Sequence, residues 1–195
     1  MNTHALKKGN VTGHTIDTLV SWGYVPIILD TRPIFCSEHK EDFGKLPRYK
    51  GSPGPNYNLA HVKNAAAEGL NIGARIPSDG LIIDVDPRNG GQHGLHNLER
   101  DICMSLVEHY PTVYTGGGGY HFYMTMPAGV YGRKSINGYD GIDFLACDRY
   151  VVAPGSYHYA CDAGYLEDRY TFNVSSPPSA PDFLISSIQE CNWLH

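Results

Sequence analysis

The stretch Gly80-Leu81-Ile82-Ile83-Asp84-Val85-Asp86-Pro87 decides how this chain is read. It is an apolar strand, and side chains along a strand alternate faces. Leu81, Ile83 and Val85 therefore point to one side, while Asp84 and Asp86 share the other, about 6.5 Å apart along the backbone. Two ionised carboxylates aimed at one point repel each other. A divalent cation offsets that repulsion, and an oxygen-only ligand set favours Mg²⁺ or Mn²⁺. The competing reading makes an aspartate start the turn at Pro87 or cap the helix that follows. That accounts for Asp86 but gives Asp84 no reason to stand inside an apolar strand.

Outward from this strand, the pattern alternates helix and strand. On the N-terminal side, Ile16, Leu19 and Val20 predict a helix over 14–22, with Thr15 as a cap and Gly23 as its end. A strand follows over 24–29. Residues 31–57 are rich in Pro, Gly, Lys and Arg and read as a long basic loop of the kind that carries function. A short helix over 59–68 and a strand over 70–74 lead into the aspartate strand. On its C-terminal side, Leu95, Leu98, Ile102 and Leu106 predict one helix over 93–109. Short strands are expected over 112–115, 120–126, 141–145 and 149–153, then a closing helix over 182–191. The expected class is α+β, with helices covering a largely antiparallel or mixed sheet.

The whole-chain numbers set limits. At 195 residues one compact domain over 1–195 is expected, with 42% hydrophobic and 18% charged residues excluding a highly charged disordered chain. No apolar run approaches the roughly 18 residues of a membrane span, and the polar N-terminus does not read as a secretory signal. The cysteines, 5 in number, are odd and scattered, which points to a reducing, cytoplasmic compartment rather than a disulfide framework. Cys36 and His39 have C-x-x-H spacing, but without a second ligand pair they do not read as a zinc site. The net charge of -5 argues against wholesale attraction to a polyanion. Its distribution is uneven: Lys and Arg exceed the acids by one up to Lys134 and fall six short of them afterwards.

Two further motifs bear on chemistry. In Thr115-Gly116-Gly117-Gly118-Gly119-Tyr120-His121-Phe122-Tyr123, four glycines let backbone approach another strand or a phosphate, and the next strand puts His121 and Tyr123 on one face. The plainer reading of that run is a flexible hairpin, and of His121 a satisfied core histidine. In Gly141-Ile142-Asp143-Phe144-Leu145, Asp143 is again a lone acid in an apolar strand. A two-metal site draws carboxylates from more than one strand, and this is the other aspartate so embedded.

The order of these elements, with Asn71-Ile72-Gly73 before them and Tyr150-Val151-Val152-Ala153-Pro154-Gly155-Ser156-Tyr157-His158 after, resembles the bifunctional primase-polymerase domain. That domain belongs to the archaeo-eukaryotic primase superfamily of plasmid and phage replication proteins. The resemblance runs from about residue 15 to about 170. It implies an RRM-like catalytic sheet packed with a smaller α/β module, the two forming a central cleft. It also implies Asp84 and Asp86 as a metal pair, Asp143 as the third carboxylate, and His121 on the incoming triphosphate. Lys45-Leu46-Pro47 is similar to the family's K-x-P, which implies a phosphate or template contact for Lys45. Ser156 and His158 match its P-S-x-H stretch and are implied as further phosphate contacts.

The chain departs from the pattern at Tyr120 and Leu145, where many relatives carry basic residues, and it lacks the usual Trp and Ala-Thr signals before Asn71. Phosphate neutralisation then falls to Arg75, Arg88, Arg133 and Lys134. Gly90, Gly91 and the run Gly116 to Gly119 are expected to flank the phosphates and metals. Together these readings imply a DNA primase/polymerase that transfers nucleotides from NTP or dNTP to a 3′-hydroxyl on a single-stranded DNA template, with two Mg²⁺ or Mn²⁺ ions. Relatives carry a helicase domain behind this one; no G-x-x-x-x-G-K-[ST] motif occurs here, so the expectation is an excised front domain or a stand-alone unit. Two rival readings use the same residues. One is a DxD glycosyltransferase, and the other is a non-catalytic RRM-like module stacking single strands on some of the 14 tyrosines.

Overall fold

The structure is a computed structural model. It describes residues 8–30, 43–49, 54, 56–133, 135–147, 149–159, 161, 163–167 and 172–190. Cys36, His39, Lys134 and most of the long basic loop lie outside these residues.

Two modules share one chain. The first begins with α1 (Gly13–Ser21) and β1 (Val25–Ile28), followed by α2 (Leu59–Ala67) and β2 (Ile72–Arg75). Helix α1 is capped by Thr12, not Thr15: the Thr12 hydroxyl accepts from the Thr15 amide at 3.0 Å. That frees Thr15 to be buried with Ile16 and Leu19. Helix α2 starts at Asn58, whose side chain accepts from the amides of Ala60 and His61.

The second module runs through β3 (Gly80–Val85), α3 (Gly91–Ile102), α4 (Leu106–His109), β4 (Thr112–Tyr114), β5 (Tyr120–Thr125) and β6 (Ile142–Leu145). The chain then returns to the first module as β7 (Tyr150–Val152), which pairs with β2. Three two-residue strands follow, β8 (Tyr157–His158), β9 (Ala163–Gly164) and β10 (Leu166–Glu167), before α5 (Asp182–Glu190).

The small sheet has the order β1-β2-β7 and the large one β10-β4-β5-β3-β6, with every named pairing antiparallel. Taking β3 to β6 as first to fourth strands, the spatial order is 4-1-3-2, that of an RRM sheet. The fold is therefore α+β with an RRM-like sheet and a smaller α/β module.

Alternation assigns the two faces of the large sheet. Leu81, Ile83, Val85, Phe122, Met124, Ile142 and Phe144 form one apolar face, buried under α3, α4 and α5 through Leu98, Leu106, Leu184 and Ile188. Each such large side chain contributes about 1.5–3 kcal/mol of transfer free energy on burial. On the opposite face, Ile82, Val113 and Tyr123 join the core of the small module, where Tyr123 packs against Trp22, Tyr24 and Phe172. Beyond Ile82 and Tyr123 that same face passes to Asp84 and His121, where the two modules separate into a cleft.

The helix predicted over 93–109 is two. It stops at Ile102 because Cys103 takes φ 52°, a left-handed conformation, and α4 restarts at Leu106. The Glu99 carboxylate accepts from the Leu106 amide at 2.7 Å, which fixes the break. No helix among the described residues is long and apolar enough to cross a membrane. Cys103, Cys147 and Cys161 are free thiols.

Candidate active site

The register across three strands builds the centre of the site. Asp84 on β3 stands directly opposite His121 on β5 and directly opposite Asp143 on β6. The three share one face in a single row, and Asp86 follows two residues later, just past the end of β3. Asp84, Asp86, His121, Lys45, Arg88 and His158 line one cleft, together with Thr115, Gly117 and Tyr165.

Asp84 and Asp86 live in different surroundings. Asp84 keeps 35% of its side-chain surface, facing the cleft. Loss of solvent around the carboxylate, and then the charge of Asp86, push its pKa up to about 6, against the opposing pull of Lys45 and Arg88. Asp86 is held below the usual carboxylate range by Arg88. Arg88 donates from Nε at 3.0 Å to one oxygen and from a terminal nitrogen at 2.9 Å to the other. The Arg88 amide and the Asn89 side chain also donate to Asp86. Asp86 thus caps the 3-10 turn Pro87–Asn89, the plainer of the two sequence readings. Asp84 has no such local task.

His121 is 5% exposed, and burial, with Lys45 nearby, lowers its pKa to about 3. It is a neutral imidazole at neutral pH. Its Nε2 lies 3.5 Å from Asp84, a contact between a neutral ring and a carboxylate rather than an ion pair. Its Nδ1 is buried without a hydrogen-bond partner among the described residues. Tyr165 stands between the two cleft histidines, its ring centroid 5.9 Å from His121 and 5.8 Å from His158. His158 accepts the Cys161 amide at Nδ1, 3.1 Å away, and burial lowers its pKa too.

Lys45 reaches the cleft because residues 44–48 run against the end of β1. The Asp30 amide donates to Leu46, the Arg48 amide to Ile28, and Leu29 bridges to Pro47. Asn71, fully buried, ties this segment down. Its amide nitrogen donates to the carbonyls of Gly44 at 2.9 Å and Tyr157 at 2.7 Å, while its oxygen accepts from the Tyr157 amide at 2.8 Å. The sequence marks Asn71 as part of a pattern but does not reveal this task. Tyr165 in the cleft has no sequence signal either.

The glycine run is a tight hairpin turn between β4 and β5, as its plainer reading holds. Thr115 donates to Gly119 and Gly118 takes φ 82°. It also serves close approach: a Cβ on Gly116 would strike His158, and one on Gly119 would strike the Val85 carbonyl.

Four placements differ from the cleft lining. Ser156 is 1% exposed and outside the cleft lining; its hydroxyl accepts from the Ile72 amide and donates to the Ile72 carbonyl, so it fastens β2. Arg75 sits at the end of β2 opposite Val25 and Tyr150, again outside that lining. Gly90 and Gly91 pack α3 against Asp140 and the Asp86 backbone and do not line the cleft. Asp143, although in register with Asp84, lines a neighbouring cavity with Tyr131, Arg133, Leu145 and Arg149. Among the described residues, no three His, Cys, Asp or Glu side chains gather closely enough to hold an ion between them.

The profile of one protein family, described as bifunctional DNA primase/polymerase, N-terminal, matches residues 18–183. The chain belongs to this family. The match covers both modules, the row of Asp84, His121 and Asp143, and the return strand β7. Membership makes the chain a primase/polymerase domain of the nucleotidyltransferase type, working in DNA replication, and sets the glycosyltransferase reading aside. Comparison with curated protein sequences finds no match.

Proposed function

We propose that the cleft of this primase/polymerase domain synthesises and extends primers by adding nucleotides from NTP or dNTP to a 3′-hydroxyl on a single-stranded DNA template. The observation that carries the reading is two carboxylates, one on β3 and one just past its end, facing a cleft whose other walls bring Lys45, Arg88 and a pair of histidines.

The donor set fits a divalent cation. Asp84 and Asp86 are oxygen ligands on one face, and their mutual repulsion contributes to the raised pKa of Asp84. Asp84 and Asp86 would hold Mg²⁺ or Mn²⁺, with Asp143 one strand away as the third acid. Such ions, when bound, acidify the attacking 3′-hydroxyl and offset charge on the leaving pyrophosphate. The residues of the chain do the rest. Arg88 must leave Asp86 for that carboxylate to become a ligand, which turns its guanidinium toward an incoming triphosphate. Lys45 adds a second positive charge. His121, neutral, contributes a hydrogen-bonding ring and no charge; its Nε2 is 3.5 Å from Asp84. Catalysis is chiefly positioning and charge neutralisation.

Incorporation of labelled nucleotide on a primed single-stranded template, with Mg²⁺ and Mn²⁺ supplied separately, tests the reading. Asp84→Ala and Asp86→Ala each abolish incorporation while the protein stays folded by circular dichroism. Activity retained in either variant overturns the assignment.

A further inference from the structure

The two cavities at the end of the large sheet lie on opposite sides of Asp84. One is the cleft toward β5, with Lys45, Arg88 and His121; the other opens on the β6 side, about 610 Å³, with Asp143, Tyr131, Arg133 and Arg149. Neighbouring strands are about 4.8 Å apart, so the two cavities are separated by little more than the Asp84–Asp143 row. The β6-side cavity holds two arginines on fixed backbone. Arg133 exchanges hydrogen bonds with Phe144 in both directions, each 2.7 Å, so its segment is zipped to the edge of β6. Gly132 permits this, because a Cβ there would meet the Phe144 carbonyl. Arg149 closes the turn after β6, its amide bonded to Ala146 and its carbonyl to Ile76. Tyr131 is 69% exposed at the rim, an aromatic surface beside the two cations.

We infer that this second cavity binds the phosphodiester backbone of the strand that supplies the 3′-hydroxyl, with Arg133 and Arg149 on its last phosphates and Tyr131 beside a base or sugar. The inference rests on the nucleotidyl-transfer reading. In-line displacement brings the attacking hydroxyl to the side opposite the leaving pyrophosphate. With the triphosphate in the Lys45–Arg88 cleft, the acceptor strand arrives from the β6 side. Two anionic substrates then meet across the acid row, each with its own pair of cations, and sequence-independent arginine contacts suit a strand whose sequence varies.

The test is read by binding. Fluorescence anisotropy follows a labelled primer annealed to a template; a fluorescent non-hydrolysable dNTP analogue reports the other cavity. Arg149→Glu weakens primer-template binding by at least about 10-fold, and Arg149→Ala lowers the slope of log K against log salt by about 0.7 to 1. Both leave analogue affinity unchanged, whereas Lys45→Ala weakens the analogue. Neutral methylphosphonates at the last two linkages of the primer weaken binding to the wild type more than to Arg149→Glu, where only the Arg133 contact is left to lose; the same change in the template strand still adds its full effect. Wild-type affinity in Arg149→Glu, or equal loss of analogue and DNA, overturns the subsite; coupling to template linkages instead overturns its assignment to the primer. These readouts do not require turnover. Absence of incorporation by the wild type with the Arg149 effect intact would count against the catalytic reading alone.

Discussion

Asp84 is destabilising where it stands, and that cost can be measured. Its pKa is about 6 in the fold against 3.8 for the free side chain, so the folded state binds its proton more tightly than the unfolded state does. Its favourable contribution is complete below about pH 4 and lost as pH rises through 6. Above that, the ionised carboxylate opposes folding, by about 1–2 kcal/mol after discounting for solvent in the cleft. Asp84→Asn keeps an oxygen facing His121 and removes the charge. In EDTA it should melt about 2–8 °C above wild type at pH 7 to 8, the difference vanishing near pH 4. Added Mg²⁺ should raise the melting temperature of the wild type more than that of the variant. Equal melting at pH 7 would mean that Asp84 is not under electrostatic strain. Asp86 shows why the neighbouring acid differs: Arg88 and Asn89 already satisfy it, and Pro87 and Arg88 in the sequence announce that turn. Which aspartate lacked a local partner was therefore legible from the residues alone. That Ser156 and Arg75 lie outside the cleft was not, because each is set by pairing of β2 with segments about 75 to 84 positions later in the chain.

At the scale of elements, the glycine hairpin sets the end of β3. Gly119 sits against the Val85 carbonyl between Asp84 and Asp86, so Gly119→Ala must push the two strands apart where the acids stand. A cost of about 1–3 kcal/mol follows for overpacking, with a loss of incorporation out of proportion to it. Gly118 is the comparison: it takes φ 82° with open space around it, so Gly118→Ala costs about 1–2 kcal/mol through backbone strain alone. Urea unfolding and primer extension on the two variants separate the effects, and similar activity in both would show that the close approach does not position the acids. The strands that carry the site were legible because β3, β5 and β6 are apolar or aromatic runs of four to six residues, each interrupted by a site residue (Asp84, His121, Asp143) and begun or preceded by glycine. β8 to β10 were not, since two residues have no period to detect. The break between α3 and α4 also escapes periodicity. Leu106 keeps helical spacing from Ile102, and only the left-handed turn at Cys103 and the reach of Glu99 to Leu106 interrupt the helix.

At the scale of the molecule, the net charge of -5 misleads about nucleic acid because it averages two unlike regions. The acids that exceed the cations lie after Lys134, while Lys45, Arg88, Arg133 and Arg149 stand around the Asp84–Asp143 row. Asp84, Asp86 and Asp143 on the same surface repel phosphate until cations screen them. Two opposite dependences on ions follow. Affinity for a single-stranded oligonucleotide should fall steeply with monovalent salt, with a slope of log K against log salt of about -2 to -3 for three to four phosphate contacts. At fixed ionic strength, replacing part of the KCl by MgCl₂ or MnCl₂ should strengthen binding by neutralising the acid row. Asp84→Ala with Asp86→Ala should bind more tightly than wild type in EDTA and respond less to the divalent ion. Anisotropy titrations between 50 and 200 mM salt check all three; a flat salt profile would mean that phosphate neutralisation does not carry the affinity, whatever the four cations contribute to catalysis.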